Sequence, residues 1–505
     1  MEVELKLLLD PRDAAAFRDH AVLRRHACGA PVEQDQIDLY FDTPDLALMR
    51  SGAGLRVRRA GGAWIQTLKA GGSVVGGLHR RNEWESAVPG PEPDLYALQK
   101  RIDAPGPWQA LIASPDFVHA LAPVFATHVR RTRYDLRLAD GTAIECVLDE
   151  GRLECGDRVE PISEVELELT AGDPLHLFDL ALELLQDIPM RLGHDSKAAR
   201  GYMLHTGHRA AAVKAEEPQL SKKMGLDQAF RAIVESCVRQ VQGNEAGVVE
   251  RDDAACLHQM RVGLRRLHSA LHLFRRVVLP PDTLQQELAW LSEQVGAARD
   301  WDVLASSTLQ TVGDAADPAE LEALRHAASA KAADLHRAAA QAVASARYAR
   351  FMLSFQRWLL GAAWRASLDA HDRQRLKAFS REMLERDRRR LCKRGRHLEE
   401  ADAQGRHRVR IAAKKARYDL EFFQSLYPPK EAKATIKVLS ALQDKLGWLN
   451  DLAVGDGLLA ELQSVHEELA DVAVHVRECL AASARDDKEK LRKLWKKARR
   501  RALTK

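Results

Sequence analysis

The sequence predicts two domains of different fold class: an α+β domain over residues 1–206 and an all-α domain over residues 218–505. Residues 1–215 contain 25 Lys and Arg against 32 Asp and Glu, a net charge of −7, whereas residues 216–505 contain 51 against 40, a net charge of +11. Of the 19 prolines, 13 precede Pro218 and none falls within residues 319–427. Apolar residues recur with a period of two in the first part and of three to four in the second. Residues 207–217 follow neither period and end at a helix breaker, so we expect a linker there.

The composition excludes several classes of protein. With 46% hydrophobic and 29% charged residues, the 505-residue chain is neither disordered nor fibrous. Charged residues interrupt every apolar stretch before the roughly 18 residues of a membrane helix, and the acidic start at Met1-Glu2 does not resemble a signal peptide. The seven scattered cysteines include no Cys-x-x-Cys pair, which argues against a disulfide framework or a thiolate zinc site. We therefore expect a cytoplasmic protein.

Charged and apolar residues alternate along at least six predicted strands of the first domain. In the first strand Glu2, Glu4 and Lys6 share one face, with apolar residues on the other. The pattern recurs around residues 55–58, 65–69, 81–85, 131–133, 145–149 and 164–169. One such strand is typical of a solvated sheet face, but so many favour a closed antiparallel barrel with a polar interior. Helices near residues 11–24, 94–102, 174–187 and 196–205 would cover its apolar outside.

A barrel interior of this composition favours one kind of ligand. Carboxylates hold hard divalent cations through their oxygens, whereas Arg and Lys bind phosphate oxygens. Acidic and basic groups in the same tube therefore predict a metal-bound phosphate compound as the substrate.

These strands resemble the CYTH superfamily, the triphosphate tunnel metalloenzymes, over about residues 1–206. Glu2-Val3-Glu4-Leu5-Lys6 is similar to the Glu-x-Glu-x-Lys motif that opens this family. The remaining motifs follow in order: Arg56-Val57-Arg58, Thr67-Leu68-Lys69, Arg81 to Glu85, Arg131-Thr132-Arg133, Glu145 to Asp149, Glu164 to Glu168 and Ser196 to Tyr202. The resemblance implies an eight-stranded antiparallel tunnel with outer helices that hydrolyses or cyclises triphosphates with Mg²⁺ or Mn²⁺.

The resemblance also implies roles for individual residues. The metal-facing carboxylates would be Glu2, Glu4, Asp149, Glu166 and Glu168, with Glu145 as a further candidate. The triphosphate would be held by Lys6, Arg56, Arg58, Lys69, Arg81, Arg131, Arg133 and Lys197. Catalysis would fall to Glu2, Glu4, Lys6, Glu166 and Glu168. The choice between Arg131 and Arg133 stays open, because a one-residue shift in register changes the face.

The second domain contains an internal repeat. Residues 258–266 match residues 407–415 at an offset of 149, and residues 296–300 match residues 447–451 at an offset of 151. In each copy, basic residues at a three-four spacing form a stripe along a helix beside an apolar stripe. A basic groove beside a helix-packing seam would suit a polyanion. A single stripe of this kind would be a solvated helix face, but its duplication favours a binding role.

The repeated pattern resembles the CHAD domain over about residues 218–500. The resemblance implies two pseudo-symmetric four-helix units that bind inorganic polyphosphate. The binding residues would be His258, Arg261, Arg265, Arg266, His407, Arg410, Lys414 and Lys415. Two more basic tracts, residues 386–394 and 488–501, are assigned to no site, and we take the second as a solvated helix end.

We therefore expect an inorganic triphosphatase that uses Mg²⁺ (or Mn²⁺) and binds polyphosphate through its helical domain. A thiamine triphosphatase, a class IV type adenylate cyclase and a non-catalytic polyphosphate-binding protein remain as alternatives. Neither a membrane nor nucleic acid is expected as a partner. The general base, the number of metal ions and the oligomeric state stay open.

Overall fold

The computed structural model describes residues 2–75, 77–104, 106–208, 211–313, 316–367, 376–485 and 488–501. The chain forms two compact units, one of residues 1–211 and 344–361 and the other of residues 212–343 and 362–505. The predicted linker at residues 207–217 falls where the first unit passes into the second, although its Arg209 and Ala210 lie outside the described residues.

The first unit is built on a closed antiparallel barrel. Its strands are β1 (Glu2–Leu9), β2 (Val32–Asp42), β3 (Ala53–Ala60), β4 (Ala63–Val75), β5 (Leu78–Val88), β6 (Ala122–Arg137), β7 (Ala143–Cys155) and β8 (Arg158–Ala171). They pair in the order β5-β4-β3-β2-β6-β7-β8-β1, and β1 also pairs with β5. This last pairing closes the sheet, so the predicted eight-stranded tunnel is confirmed. A short β9 (Met190–Leu192) pairs with the end of β1.

Alternation places the charged face of each strand inside the barrel and the apolar face outside. On β1, Leu5 and Leu7 are fully buried under the outer helices. Those helices are α1 (Ala14–Arg18), α2 (Ala21–His26), α3 (Ala47–Arg50), α4 (Leu95–Gln99), α5 (Pro107–Ile112), α6 (Pro115–Ala120), α7 (Leu175–Asp187) and α8 (Lys197–Thr206). Ser196 caps α8, because its hydroxyl accepts a hydrogen bond from the backbone N–H of Ala199 (3.2 Å), and this fixes Lys197 at the first helical position.

The second unit is helical in the part of the chain that the structure describes, as predicted. Its helices are α9 (Leu226–Gln242), α10 (Glu245–Arg251), α11 (Ala254–Phe274), α12 (Asp282–Val303) and α13 (Pro318–Ala344), followed by α15 (Leu376–Arg394), α16 (Ala403–Phe423), α17 (Pro429–Val465), α18 (Ala470–Arg485) and α19 (Lys488–Arg500). The repeat corresponds to α11 and α12 in the first copy and to α16 and α17 in the second. The apolar stripe of α11 is core, since Leu257, Met260 and Leu264 are buried.

One helix from the second half of the chain belongs to the first unit. Helix α14 (Ala346–Leu360) packs on α7, and Arg350 Nη1 donates to the carbonyl of Leu185 (3.1 Å). Arg357 also pairs with Asp179 of α7. Aromatic residues of α14, including Phe351 and Phe355, are buried. The sequence placed residues 344–361 in the helical domain, because helical periodicity does not say against which partner an apolar stripe packs.

All seven cysteines lie in the described residues, and all are free thiols. Among the described helices, none has both the length and the apolar run that crossing a bilayer requires.

Candidate functional sites

The barrel encloses a cavity of about 420 Å³ with charged walls. Its acidic lining residues are Glu2, Glu4, Glu83, Glu85, Glu145, Glu166 and Glu168. Its basic lining residues are Lys6, Arg56, Arg58, Lys69, Arg81, Arg131 and Lys197. The structure thus brings together all the predicted tunnel residues except Asp149 and Arg133.

Two lysines lie within a cluster of three carboxylates on one side of the cavity. Lys197 Nζ donates to Asp149 Oδ2 (2.6 Å), to Glu166 Oε1 (3.0 Å) and to Glu164. Lys6 Nζ donates to Glu164 Oε1 (2.9 Å) and Glu166 Oε1 (2.6 Å). The oxygens of these three carboxylates lie within 4.8 Å of one another, a spacing suited to a metal ion. Because ammonium groups already lie among them, we infer that this cluster orients the two lysines.

Arg131 joins this network and Arg133 does not. Arg131 donates from Nε and Nη2 to the two oxygens of Asp149 (2.8 and 2.6 Å) and from Nη2 to Glu166 Oε2 (3.0 Å). Arg133 lies outside the cavity with 44% of its side chain exposed, 3.8 Å from Glu145. Arg131 and Arg133 are two residues apart on β6, so their side chains point to the same face of the strand. Their different surroundings therefore come from their positions along the strand and not from the strand register.

The paired carboxylates are held ionised. Burial opposes ionisation of Asp149, but Lys197 and Arg131 lower its pKa. Burial likewise opposes ionisation of Glu166, whose pKa Lys197, Lys6 and Arg131 lower. The predicted metal ligand Asp149 is fully buried, and its charge is already balanced by cations.

Asp38 on β2 orients two of the predicted phosphate-binding arginines. Arg58 donates from Nε and Nη2 to the two oxygens of Asp38 (2.7 and 2.9 Å), and Arg56 Nη1 lies 3.5 Å from the same carboxylate. Asp38 is not among the residues predicted from the sequence, and Glu164 was predicted to lie on a charged strand face without a role of its own. Both occupy charged positions in alternating strands, which was the signal available for finding them.

Glu4 and Glu168 differ from the paired carboxylates. They are opposite each other on β1 and β8, and both line the cavity. Burial, and next the carboxylate of Glu166, raise the pKa of Glu4. Burial and the carboxylates of Glu2 and Glu145 raise the pKa of Glu168 to about 7. In both residues burial and neighbouring carboxylates outweigh the attraction of the nearby lysines, so the protein balances their negative charge only in part.

The uncompensated carboxylates fit a hard divalent cation. Oxygen ligands from Glu4 and Glu168 would suit Mg²⁺ or Mn²⁺, and a cation between them would relieve their repulsion. Glu2 also lines the cavity, but both its oxygens accept from Lys69 Nζ (2.8 Å each). Among the predicted metal ligands, Glu4 and Glu168 therefore fit best, and Glu2 would have to share its charge with Lys69.

We expect Asp38→Asn to destabilise the first unit and to reduce its sensitivity to acid. Burial opposes ionisation of Asp38, but Arg58 and Arg56 lower its pKa below its ordinary value. A carboxylate with a lowered folded-state pKa stabilises the fold above its unfolded pKa, and this contribution is lost as the pH falls. Breaking such a buried pair costs about 3 kcal/mol. Melting temperatures at pH 7 and pH 3 should therefore differ less for Asp38→Asn than for the parent; an equal difference would contradict the assignment.

The basic stripes of the two repeat copies meet in the helical unit. Burial, and then Arg265, Arg410 and Arg261, lower the pKa of Lys414 to about 8. Cations of α11 and α16 therefore lie close enough to repel one another. We call Arg261, Arg265, Arg410 and Lys414 the central basic cluster.

Matching glycines position the two arginines of the repeat. A Cβ built on Gly296 of α12 would lie 3.9 Å from Arg261 Nε, and one built on Gly447 of α17 would lie 3.5 Å from Arg410 Nε. In each copy the arginine therefore lies against the facing helix at the glycine of the repeated motif. Arg261 has an acidic neighbour, because its Nη2 lies 3.7 Å from Asp300 Oδ1.

Two buried donors of the central basic cluster, Nε of Arg265 and Nε of Arg410, have no hydrogen-bond partner among the described residues. The buried ring nitrogen Nδ1 of His258, which donates or accepts according to the tautomer, also has none. Burial and the neighbouring Arg299 lower the pKa of His258 to about 4. Unpaired buried donors are costly unless a ligand or water accepts from them. The cluster is therefore suited to an anion with several oxygens.

The remaining predicted polyphosphate residues lie in other surroundings. Arg266 is 2% exposed, donates to Gln240 Oε1 (2.9 Å) and stacks on Phe422, so it is part of the core. His407 Nδ1 lies 2.8 Å from Asn450 Oδ1. Burial lowers the pKa of Lys415 to about 8, although the nearby Asp419 opposes this. The sequence pattern did not separate Arg266 from Arg265, because consecutive helical residues point about 100° apart and only packing decides which one is covered.

Two different family models match the two parts of the chain. Residues 1–202 match the CYTH domain family, and residues 232–460 match the CHAD domain family.

Individual relatives each match one part of the chain. An inorganic triphosphatase from Haemophilus influenzae is 31% identical over 206 residues, which cover 40% of this chain and 54% of the relative, so the chain spans about half of that protein's length. The crystal structure of a CHAD domain from the plant Ricinus communis is 38% identical and covers 57% of this chain and 97% of that one, with a TM-score of 0.52. A putative adenylyl cyclase from Hippeastrum, with a dominant triphosphatase activity, is 20% identical and covers 42% of this chain and 98% of that one. Its TM-score of 0.30 is too low to bear on function.

Proposed function

Because the chain carries a CYTH domain at residues 1–202 followed by a CHAD domain at residues 232–460, we propose that it hydrolyses inorganic triphosphate to pyrophosphate and phosphate with Mg²⁺ or Mn²⁺. We further propose that its helical unit binds inorganic polyphosphate. The relative that is an inorganic triphosphatase supports a phosphoanhydride hydrolase at the level of the family.

The barrel cavity contains two kinds of charged group, and together they support the proposed hydrolysis. The cavity has cationic groups held in place by buried carboxylates, and it also has carboxylates whose charge is left unbalanced. A site that binds only anions would need the cationic groups but not the carboxylates whose charge is unbalanced. The combination supports turnover of a metal-bound phosphate compound and disfavours a purely non-catalytic phosphate-binding role.

The residues of the cavity suit in-line attack by water on a terminal phosphoryl group. A divalent cation at Glu4 and Glu168 would neutralise charge on the phosphate oxygens and lower the pKa of the attacking water. Arg58 and Arg131, each oriented by an aspartate, would hold the phosphate chain, and Lys6 and Lys197 would add positive charge. These cations are oriented before substrate arrives, so little reorganisation is needed.

The lining favours an inorganic chain over a thiamine or adenosine compound. Apart from charged residues, the cavity is lined by small and hydroxyl residues and by Met49, Tyr40 and Tyr202. Both tyrosines are buried in an aromatic cluster with Phe125. An aromatic ring system would therefore find little exposed apolar surface to stack on.

A substrate panel tests this function. Phosphate release would be measured from tripolyphosphate, ATP and thiamine triphosphate, each with and without Mg²⁺ or Mn²⁺. We expect metal-dependent release, fastest from tripolyphosphate. Faster release from thiamine triphosphate, or formation of cyclic AMP from ATP, would replace the proposal with the corresponding alternative activity.

We expect Arg58→Gln and Lys69→Gln to affect different steps. Arg58 would contact phosphate, so its loss should lower kcat/KM about ten- to a hundredfold, the effect of one charge-assisted hydrogen bond, with the Mg²⁺ requirement unchanged. Lys69 is hydrogen-bonded to Glu2, so its loss should change the Mg²⁺ concentration that gives half-maximal activity. Titrations of Mg²⁺ at saturating tripolyphosphate measure this concentration. Identical Mg²⁺ dependence in the two variants would contradict the division of roles.

Polyphosphate binding is supported by the central basic cluster. Its cations come from both copies of the repeat, their charges repel one another, and nearby buried donors lack partners. A flexible chain of phosphates would neutralise these cations and accept hydrogen bonds from the unpaired donors.

We expect polyphosphate affinity to fall as the pH is raised from 7 to 9. Lys414 and Lys415 have pKa values lowered to about 8, so both lose their positive charge within this range. A bound polyanion favours the charged forms, and binding at pH 8 should therefore take up protons. Calorimetry in two buffers of different ionisation enthalpy measures this uptake. The double variant Lys414→Arg, Lys415→Arg should bind with little pH dependence; an unchanged dependence would contradict the assignment.

A further inference from the structure

The C-terminal helix α19 presents a dense positive surface. Its Leu491, Trp495 and Ala498 are each 5% exposed and pack inward at a four-three spacing. Its exposed cations are Lys490, Arg492, Lys493, Lys496, Lys497, Arg499 and Arg500, with Arg501 directly after the helix. The one acidic residue of the helix, Glu489, pairs with Lys493 (3.0 Å). Asp486 and Asp487, which precede it in sequence, lie outside the described residues.

A second basic tract lies against this helix because of a glycine. A Cβ built on Gly395 would lie 2.3 Å from the ring of Trp495, closer than any real contact, so only glycine allows the ring to approach this backbone. Gly395 follows the last turn of α15, and exposed Lys393, Arg394 and Arg396 surround it in sequence. Residues 388–398 contain no acidic residue, and the preceding Glu385 is already hydrogen-bonded to Arg388 and Arg389.

Two tracts about 95 residues apart in sequence thus meet where Trp495 packs on Gly395. We call the exposed cations of α19 with Lys393, Arg394 and Arg396 the terminal basic surface. None of its residues belongs to the central basic cluster, and none lies on α11 or α16.

The chemistry of the terminal basic surface selects among polyanions. Proteins that bind single-stranded nucleic acid stack bases on exposed aromatic rings, and helices that bind membranes insert an apolar face. Here the ring of Trp495 is buried together with Leu491 and Ala498, Leu494 is half-buried, and every exposed residue of α19 is charged. A ligand of dense negative charge with neither bases nor acyl chains matches this surface.

We propose that the terminal basic surface is a second binding site for inorganic polyphosphate, used by chains long enough to contact it in addition to the central basic cluster. This inference rests on the proposed binding of polyphosphate by the helical unit. When a polyphosphate molecule is bound at one site of the protein, a second site on the same protein binds it at a high effective concentration. Long polyphosphate should therefore gain more affinity from this surface than short polyphosphate.

The test compares two full-length variants of equal charge. The surface variant carries Lys393→Gln, Lys496→Gln, Lys497→Gln and Arg500→Gln; the control carries Lys222→Gln, Lys430→Gln, Lys433→Gln and Lys437→Gln, all at exposed positions. Binding of polyphosphate of about a hundred phosphates would be measured at several salt concentrations. Each cation that contacts polyphosphate adds about 0.7 to the magnitude of the slope of log affinity against log salt concentration. We therefore expect the slope of the surface variant to be smaller in magnitude by up to about 3 and its affinity to be lower by at least about tenfold. Tripolyphosphate hydrolysis and helical content should not change.

The outcomes separate this inference from the proposed function. If the parent does not bind polyphosphate, the proposed binding function fails and this inference fails with it. If the parent binds and the surface variant matches the control in affinity and slope, the inference is overturned while the central basic cluster retains its role. If the surface variant loses affinity for single-stranded RNA but not for polyphosphate, the surface serves nucleic acid and the inference is likewise overturned.

Discussion

Glu4→Gln is expected to reduce phosphate release from tripolyphosphate by at least about a hundredfold while the barrel stays folded. The substitution keeps the shape of the side chain and removes one of the two carboxylates whose charge the protein leaves unbalanced. Loss of a charged oxygen ligand weakens binding of a hard cation and removes the charge stabilisation it provides, and a single electrostatic contributor of this kind is worth 10²- to 10³-fold in rate. Release should be measured across a Mg²⁺ titration, with Glu33→Gln on an exposed position of β2 as the control.

A comparison with Glu166→Gln separates catalytic from structural carboxylates. The pKa of Glu4 is raised, so its charged form is disfavoured in the folded state and Glu4→Gln should preserve or increase the melting temperature without metal. Glu166 is hydrogen-bonded to Lys6, Lys197 and Arg131, so Glu166→Gln should lose both activity and about 3 kcal/mol of stability. If Glu4→Gln released phosphate from tripolyphosphate almost as fast as the parent at limiting Mg²⁺, Glu4 would not be a ligand of the proposed metal site.

Charge reversal of the central basic cluster should abolish polyphosphate binding. The variant Arg261→Glu, Arg265→Glu, Arg410→Glu, Lys414→Glu replaces four cations by four anions at the place where both repeat copies meet. Affinity for a polyanion depends on the number of phosphates that the protein neutralises, so losing four contacts should cost about a hundredfold or more at moderate salt, and the new anions add repulsion.

The fold of the helical unit should survive this reversal. The buried apolar stripe of α11 is untouched, and the four cations repel one another in the parent. Circular dichroism would report helical content, and the same reversal at Lys222, Lys430, Lys433 and Lys437 would control for net charge. Binding as tight as that of the control would show that the stripes are only solvated helix faces. Tripolyphosphate hydrolysis should be unaffected in both variants, since their substitutions lie outside the barrel.

The charged interior of the barrel was predictable because alternation along a strand is local. Glu2, Glu4 and Lys6 must share one face of β1 whatever the rest of the chain does. Periodicity in the same way predicted the paired helices of the repeat and the stripes of α11 and α16. Fold class, the two kinds of domain and most of the residues lining the cavity therefore followed from the sequence.

Which charges are balanced was decided by tertiary structure alone. Glu4, Glu166 and Glu168 look alike in sequence, but Glu166 is paired because β1 brings Lys6, β6 brings Arg131 and α8 brings Lys197 to it. Contacts between residues far apart in sequence also place Arg266 against the ring of Phe422 and the ring of Trp495 against Gly395. A periodic pattern tells which face a side chain occupies, whereas the free energy of a charge depends on burial and on partners far away in sequence, which only the folded chain brings into contact.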